Sequence, residues 1–338
     1  MYLDFFGFNE MPFKLTPDPK FLYQTAAHRE VLAQLLYGVQ QSKGFIALTG
    51  EIGTGKTTLL HALMKRLAES ASVAFLFNST LSFDGLLEYI LEDFGISAPS
   101  GASQAQRLFA LNNFLIERRR LGQSAVLILD EAQNLDAKTL EQVRLLSNFE
   151  TPHEKLLQIL LVGQPELLDT LDRPELRQLK QRISLRCRIL PLTADQTRDY
   201  VRTRLRIAGA RDLGLFSDAA ITRIAEHSCG VPRLINTLCD HCLLIGYADQ
   251  IRRIDRPIVE EAIEYFEQGG RPSPKPRRSL RSRGRALVRW ALSAAGALLL
   301  GGAAVLTIAH REALRQIFDL STATLFGLAN TASSLFGQ

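Results

Sequence analysis

Residues 50–57 read Gly50-Glu51-Ile52-Gly53-Thr54-Gly55-Lys56-Thr57, and this segment is the strongest indication of the fold in the sequence. An apolar run, Phe45 to Leu48, precedes it, and a helical pattern begins directly after it at Thr58. Strand, glycine loop and helix in this order carry the G-x-x-x-x-G-K-T spacing of a phosphate-binding loop. Glycines let the backbone curl so that several N–H groups point at one phosphate, and the helix N-terminus adds its positive dipole end. The segment therefore predicts a nucleoside triphosphate site.

The side chains of this loop predict how ATP and Mg²⁺ are held. Lys56 is placed to reach the β- and γ-phosphates, and the Thr57 hydroxyl is placed to bind Mg²⁺. We expect the nucleotide to contact the loop and the start of its helix at Gly50, Ile52, Gly53, Thr54, Gly55, Lys56, Thr57 and Thr58.

A second motif lies downstream, where the apolar run Ala125 to Leu129 ends in Asp130 and Glu131. A continuously apolar run is typical of a central parallel strand, and ligands of such sheets bind at the carboxyl ends of the strands. We expect Asp130 to hold Mg²⁺, directly or through water. Glu131 is then the residue that orients and activates the attacking water.

Another buried strand is predicted over 156–162, and Gln164 follows it. Gln164 is therefore expected at the same sheet edge as Asp130, as a polar sensor of the γ-phosphate. Stabilisation of the turn is the alternative role for this side chain.

The remaining patterns divide the 338 residues into an α/β ATPase domain, a small all-helical lid and several flanking segments. The predicted fold is a P-loop three-layer sandwich with a parallel sheet, the helical lid and one C-terminal transmembrane helix. The predicted boundaries are an aromatic and Pro-rich arm 1–25, the ATPase domain 26–192, the lid 193–268, a basic linker 269–289, a transmembrane helix 290–309 and a tail 310–338. Because prolines prevent a long helix in the arm, we expect it to be extended and pinned by its aromatics onto the first domain. There it either lines the adenine pocket or covers the core.

Charge is distributed unevenly along the chain. Eight of the Lys and Arg residues lie in 271–289, whereas 290–309 carries no charge. These twenty uncharged residues are long enough to cross a bilayer as a helix. A buried core helix is the alternative for that span. The positive flank predicts that the ATPase domain is cytoplasmic and the tail is on the other side. Subtracting the eight cations from the overall charge of +5 leaves residues 1–270 at about −3, so nucleic acid is not an expected partner.

The four cysteines include a Cys239-x-x-Cys242 pair beside His241. A zinc site would need a second pair of ligands at matching spacing, and the stretch has the pattern of an apolar helix. We expect buried, reduced thiols, with metal binding as the alternative.

Four stretches together resemble the ExeA/GspA family of general secretion pathway ATPases, which belongs to the AAA+ superfamily and is similar to the ATPase of mannose-sensitive pilus assembly. They are the N-terminal arm with the 50–57 loop, Asp130-Glu131-Ala132-Gln133-Asn134-Leu135, Leu161-Val162-Gly163-Gln164-Pro165-Glu166-Leu167 and Gly230-Val231-Pro232-Arg233. The likeness covers about residues 1–270 and continues in layout through the basic linker and the apolar span.

The resemblance implies further roles and partners. Arg233 matches the lid arginine that touches the γ-phosphate, and Arg182 matches the arginine finger that reaches into a neighbouring subunit, with Arg177 as its rival. Asn78 matches a residue that restrains Glu131 until a partner engages. A homo-oligomer, either a ring or a dimer, is therefore expected, together with a membrane partner protein of a secretion or pilus system in the bacterial inner membrane.

ExeA/GspA proteins usually carry a periplasmic peptidoglycan-binding module after the span. We expect this sequence to lack that module, so a separate periplasmic protein is the expected contact with the cell wall. The expected function is ATP hydrolysis that supports assembly of a secretion or pilus complex. The alternatives are an exosortase- or exopolysaccharide-associated ATPase, a TniB-like AAA+ regulator of DNA transposition, and a nucleotide-gated scaffold with negligible turnover.

Overall fold

The computed structural model of the chain describes residues 1–267, apart from positions 17, 78–80, 98 and 100. These residues belong to one folded unit, Met1–Arg271. The predicted linker 269–289, transmembrane helix 290–309 and tail 310–338 lie outside the described residues. Within the described range, no helix has the length and apolar character needed to cross a membrane.

A five-stranded parallel sheet forms the centre of the first subdomain. Its strands are β1 (Phe45–Gly50), β2 (Ala71–Leu76), β3 (Ser124–Leu129), β4 (Leu157–Gly163) and β5 (Ile183–Ile189), in the spatial order β2-β3-β4-β1-β5. Every residue of β1 and β4 is buried, which is why both strands are mostly apolar, with Thr49 and Gln158 as their buried polar side chains. The edge strand β5 alternates buried and exposed positions instead, as its Arg- and Ser-containing sequence predicts.

Helices cover both faces of the sheet, so the three-layer arrangement predicted from the sequence is confirmed. One face packs on α2 (Ala26–Gln40) and α3 (Lys56–Leu67) through alternate strand residues such as Ile46 and Leu48. The opposite face carries α4 (Phe83–Asp93), α5 (Gln104–Arg120), α6 (Ala137–Leu146), α7 (Glu166–Leu171) and α8 (Arg177–Arg182). Successive side chains along each strand point to opposite faces of the sheet, so the sheet separates two apolar cores.

Four further helices form the lid: α9 (Ala194–Ile207), α10 (Asp218–Ser228), α11 (Pro232–Ala248) and α12 (Arg256–Glu267). Thr193 begins α9 with a capping box that is closed by Gln196, and Ser217 caps α10. Each cap satisfies N–H groups that have no intrahelical partner, so these helices begin where their capping residues stand.

The prediction that aromatic residues pin the arm onto the first domain is wrong, although the arm's short turn Pro19–Phe21 does lie against α3. The arm's aromatic residues Tyr2, Phe8, Phe13 and Phe21 are buried in the same core as the lid helices. The arm also contains one short helix, α1 (Tyr2–Phe6), which ends at Gly7 in a left-handed conformation. The physical reason is the lid's small size: four short helices leave apolar surface uncovered, and the arm's aromatic rings supply the missing core.

Candidate functional site

The glycine loop between β1 and α3 is shaped by two left-handed residues. Gly53 has φ 79° and Gly55 has φ 99°, values that favour glycine because it lacks a Cβ. Thr54 is almost fully buried and its hydroxyl donates a hydrogen bond to the Glu51 carbonyl at 2.8 Å, closing the turn. Gly55 is the N-cap of α3, so the loop delivers its backbone N–H groups to a helix N-terminus. This is the cradle that a phosphate requires.

Lys56 is buried at the first position of α3. Its Nζ donates hydrogen bonds to the carbonyl oxygens of Gly50 at 2.8 Å and Glu51 at 3.2 Å. Burial lowers the pKa of this ammonium, and the neighbouring carboxylates of Glu131 and Asp130 oppose that effect. A cation held on neutral carbonyl groups can turn to a phosphate without breaking an ion pair.

Thr57 and Asp130 meet although 73 positions separate them in the sequence. The Thr57 hydroxyl donates to Asp130 Oδ2 at 3.2 Å, and Asp130 is 4% exposed. Burial raises the pKa of the Asp130 carboxyl above its usual range, while hydrogen bonds from the Glu131 N–H and the Thr57 hydroxyl act against this. A hydroxyl and a carboxylate at the mouth of a phosphate loop are oxygen ligands of the kind that Mg²⁺ takes together with substrate phosphates, so these residues fit the ion.

Glu131 is a non-glycine residue in the left-handed region, with φ 52° and ψ 40°. Such a conformation is uncommon and is concentrated at functional sites, where neighbouring groups hold it in place. Here the Glu131 N–H donates to Asp130 Oδ1 at 2.9 Å. The turn sends the carboxylates of Asp130 and Glu131 in different directions, one toward Thr57 and one into the cavity described below.

The sheet order explains why Gln164 reaches this site. Because β4 lies between β1 and β3, the ends of these three strands are adjacent, and Gln164 directly follows β4. Its side-chain amide donates to Glu131 Oε2 at 3.2 Å. The structure thus brings Gln164 to Glu131, as its position after the strand predicts.

Arg233 lies in the first turn of α11, directly against the glycine loop. Its backbone N–H donates to the Gly53 carbonyl at 3.2 Å, and a Cβ on Gly53 would stand 2.6 Å from the Cβ of Arg233. Gly53 therefore has a second reason to be glycine: the lid helix approaches too closely for a side chain. The exposed Arg233 side chain lines the cavity between loop and lid.

A cavity of about 240 Å³ lies over the loop and is bordered by the arm and the lid. Its lining combines residues 52–58 of the loop and helix start with Glu131, Arg233 and the arm residues Phe21 and Tyr23, whereas the predicted site residues Gly50 and Asp130 are not part of it. Apolar walls over a polar phosphate cradle suit a nucleotide, whose base is apolar on its faces and whose phosphates are charged. The arm thus lines this cavity, and its contact with adenine stays a prediction.

Arg204 fastens the arm to the lid. This arginine is 6% exposed, and its Nε donates to the Pro12 carbonyl at 2.6 Å while Nη1 donates to the Tyr200 hydroxyl at 2.7 Å. The guanidinium carbon also lies 4.8 Å from the centre of the Phe21 ring. A single buried cation therefore connects α9, the arm and one wall of the cavity.

Arg182 is not brought to the loop of its own chain. It precedes β5, and the pairing of Ile183 with Phe45 places it beside the start of β1, about 17 Å from the loop at the strand's other end. Its Nη1 donates to Ser147 Oγ and to Asn148 Oδ1 at the end of α6. Arg177 is exposed at the start of α8. The position predicted to restrain Glu131, Asn78, lies outside the described residues.

The sequence analysis assigns no role to three side chains that lie at this site: Gln133, His28 and Arg204. Gln133 donates to Glu131 Oε2 at 2.6 Å, and its place two residues after the strand-end acids was a usable signal. His28 is buried beside the loop, with Nδ1 2.7 Å from Thr25 Oγ1, and nothing in the local sequence indicates this. Arg204 falls on the apolar face of α9 one turn after Tyr200, and an arginine on such a face indicates a specific buried partner.

The described residues contain no group of three or more His, Cys, Asp or Glu side chains that could hold a metal ion. Cys239 and Cys242 are buried among the lid helices, and burial raises the pKa of both thiols. These thiols contribute to the apolar core of the lid.

The fold and this site define a P-loop nucleotide-binding protein of the AAA+ superfamily. Residues 39–171 match the family described as AAA domain. The resemblance to the ExeA/GspA type is confirmed, since the chain is 42% identical over 248 residues to the general secretion pathway protein A of Aeromonas hydrophila. That match covers 73% of this chain and 45% of the relative, so the chain spans less than half of the relative's length.

Solved structures share the fold at lower identity. Cdc6p from Pyrobaculum aerophilum superposes with a TM-score of 0.57 at 23% identity, covering 72% of this chain and 68% of that one. The Drosophila ORC structure, determined bound to DNA, gives a TM-score of 0.58 at 16% identity over 76% and 64% of the two chains. At these identities the likeness concerns the fold alone.

Proposed function

We propose that this chain is a magnesium-dependent ATPase of a secretion-type assembly. The observation that carries the proposal is the 3.2 Å contact between the Thr57 hydroxyl and the Asp130 carboxylate, made beside the buried Lys56. These groups supply an Mg²⁺ ligand from each of two motifs and a cation for the phosphates. Mg²⁺, when bound, would draw charge from the β- and γ-phosphates.

Glu131 and Gln164 are the proposed hydrolytic pair. Glu131 accepts a proton from the attacking water, which requires a carboxylate held at a fixed place near the γ-phosphate. The hydrogen bond from the Gln164 amide to Glu131 Oε2 supports this arrangement, because it fixes one carboxylate oxygen. Gln164 in this position is also the proposed sensor of the γ-phosphate.

The lid arginine is the proposed link between nucleotide and lid movement. Arg233 stands on a helix whose N-terminus contacts Gly53, so a γ-phosphate in the loop attracts a guanidinium that belongs to the lid. Closure of the lid on ATP, and opening after phosphate release, would follow from this single contact.

Oligomerisation is proposed because both arginine-finger candidates lie far from the phosphate loop of the same chain. Arg182 and its rival Arg177 stand near the start of β5, at the sheet edge opposite the phosphate loop. Either side chain can serve catalysis only in the site of a second copy, where it would supply charge to the transition state. Turnover would then depend on protein concentration.

The secretion role rests on the 42% identity to the general secretion pathway protein A. We propose the bacterial inner membrane as its location, on sequence grounds: eight Lys and Arg residues in 271–289 precede an uncharged stretch, 290–309. In this account the ATPase domain is cytoplasmic, the span anchors it, and a membrane protein of the secretion or pilus system is its partner.

The test compares the full chain with Lys56→Ala and Glu131→Gln. We expect wild type to release phosphate from ATP, Lys56→Ala to lose ATP binding, and Glu131→Gln to bind ATP and oligomerise without turnover. ATP-driven oligomerisation without measurable turnover in wild type would contradict hydrolysis and favour a nucleotide-gated scaffold.

A second experiment tests location and partner class. The full chain should float with lipid vesicles, and a variant that lacks 290–309 should remain at the bottom of the gradient. Flotation of the shortened variant would contradict anchoring by that span. Salt-dependent binding of duplex DNA by residues 1–270 would favour the DNA-transposition regulator instead.

A further inference from the structure

Gln133 makes a hydrogen bond with each end of its side-chain amide. Its Nε2 donates to Glu131 Oε2 at 2.6 Å, and its Oε1 accepts the backbone N–H of Gln164 at 3.1 Å. The side chain thus joins the end of β3, where the acids stand, to the end of β4.

These two bonds fix the orientation of the amide. A backbone N–H can only donate, so the Gln133 oxygen must face Gln164, and the NH₂ group must then face Glu131. The Glu131 Oε2 atom consequently receives two amide donors, one from Gln133 and one from the Gln164 side chain. Two N–H donors on one carboxylate oxygen hold the side chain in a single rotamer.

Gly163 makes room for this arrangement. A Cβ at that position would stand 2.6 Å from Gln133 Oε1, closer than Cβ atoms in proteins approach a non-bonded neighbour. Gly163 has no positive φ, so space is the feature that requires glycine. A Cβ there would crowd the Gln133 amide and would also lie 3.0 Å from the Leu167 side chain.

Glu131 needs such support because its backbone is held in the left-handed region. A residue in that conformation keeps it only when the surroundings determine it, and the carboxylate of a general base must also stay within hydrogen-bond reach of water. Gln133 meets both needs from outside the cavity lining.

We propose that Gln133 is a positioning residue for the hydrolytic reaction. It aligns the Glu131 carboxylate and connects it to Gln164, the proposed γ-phosphate sensor at the end of β4. This inference rests on the proposed ATPase function. It assigns Gln133 no contact with ATP, so its loss should change kcat and leave nucleotide affinity unchanged.

The test uses two substitutions that separate positioning from structural support. Gln133→Met keeps the size of the side chain and removes both hydrogen bonds. Gln133→Glu keeps an oxygen acceptor for the Gln164 N–H but sets a carboxylate against Glu131. Gln123→Met is the matched control, since Gln123 is also half-buried but precedes β3 at its other end.

We expect Gln133→Met to lower kcat by about 10-fold or more, the usual scale for a misplaced general base, with KM and the Kd for a fluorescent ATP analogue within about 3-fold of wild type. Gln133→Glu should be slower still. Gln123→Met should retain the wild-type rate. Gly163→Ala, which displaces the amide without removing it, should lower kcat in the same way.

Three results would overturn the inference: wild-type rates in both Gln133 variants, wild-type rate in Gln133→Glu with loss only in Gln133→Met, or loss of ATP affinity in step with kcat. The second is what mere support of the β4 end predicts. Absence of turnover in wild type would instead contradict the proposed function itself. Circular dichroism and urea unfolding establish that each variant is folded, and Gln133→Glu provides the decisive rate should Gln133→Met fail to fold.

Discussion

Replacing Gly230 with alanine should loosen the junction between lid and phosphate loop. Gly230 has φ 73°, and a Cβ there would stand 1.9 Å from the carbonyl oxygen of Leu192. The same two residues are joined by a hydrogen bond of 2.8 Å from the Leu192 N–H to the Gly230 carbonyl. Because that backbone cannot rotate away as a side chain could, the strand-to-lid connection or the start of α11 must move.

A matched control isolates this steric effect. Gly122 also has φ 73°, yet a Cβ there meets nothing within 4 Å. Gly122→Ala should therefore cost only the strain of a left-handed alanine, about 1–2 kcal/mol. Gly230→Ala adds an overlap with backbone, for which overpacking costs of about 1–3 kcal/mol are typical.

Urea unfolding of the two variants and wild type measures the difference. We expect Gly230→Ala to lower the free energy of unfolding by about 2 kcal/mol more than Gly122→Ala does. Only Gly230→Ala should also weaken ATP binding, because Arg233 lies three residues further on and contacts the loop. Equal destabilisation by the two substitutions would refute the steric reasoning.

Three further predictions concern the arm, protonation and the metal. Arg204→Ala should expose residues 1–25 to limited proteolysis, because it leaves the Pro12 carbonyl without its buried donor; unchanged cleavage would contradict the anchoring role. Burial lowers the pKa of His28 and His241 in the folded chain, so these side chains take up protons at a higher pH in the unfolded chain than in the folded one. Stability should therefore fall as pH drops below about 6.5. His28→Gln should make that fall shallower in urea unfolding at pH 7.5 and 5.5. Thr57→Val should lower Mg²⁺-dependent turnover at least ~10-fold while ATP binding in EDTA stays unchanged, by the loss of one metal ligand.

The central fold could be predicted because its signals are local and repeated. An apolar run followed by the 50–57 loop fixes a strand, a turn and a helix, and a second run ending in Asp130 fixes the neighbouring motif. The rule that parallel strands present their carboxyl ends at one edge then brings Gln164 to Glu131, and the structure shows that contact.

The errors arose where long-range packing decides the outcome. The arm's aromatic residues indicate burial, but aromatic rings carry no sign of which core receives them, and the lid takes them. Arg204 and Gln133 act through backbone groups of distant segments, the Pro12 carbonyl and the Gln164 N–H. No residue type at the receiving end marks such a bond in the sequence, since every residue offers a carbonyl and nearly every residue an N–H.

Single-turnover phosphate release tests whether Mg²⁺ and Glu131 together carry out ATP hydrolysis. Full chain at a concentration that supports oligomers is mixed with radiolabelled ATP, with Mg²⁺ or with EDTA, beside Glu131→Gln at equal nucleotide occupancy. We expect release by wild type with Mg²⁺ only, and a rate at least ~100-fold lower in Glu131→Gln, the scale of a lost general base. Equal release by wild type and Glu131→Gln, or release by wild type in EDTA, would contradict this mechanism.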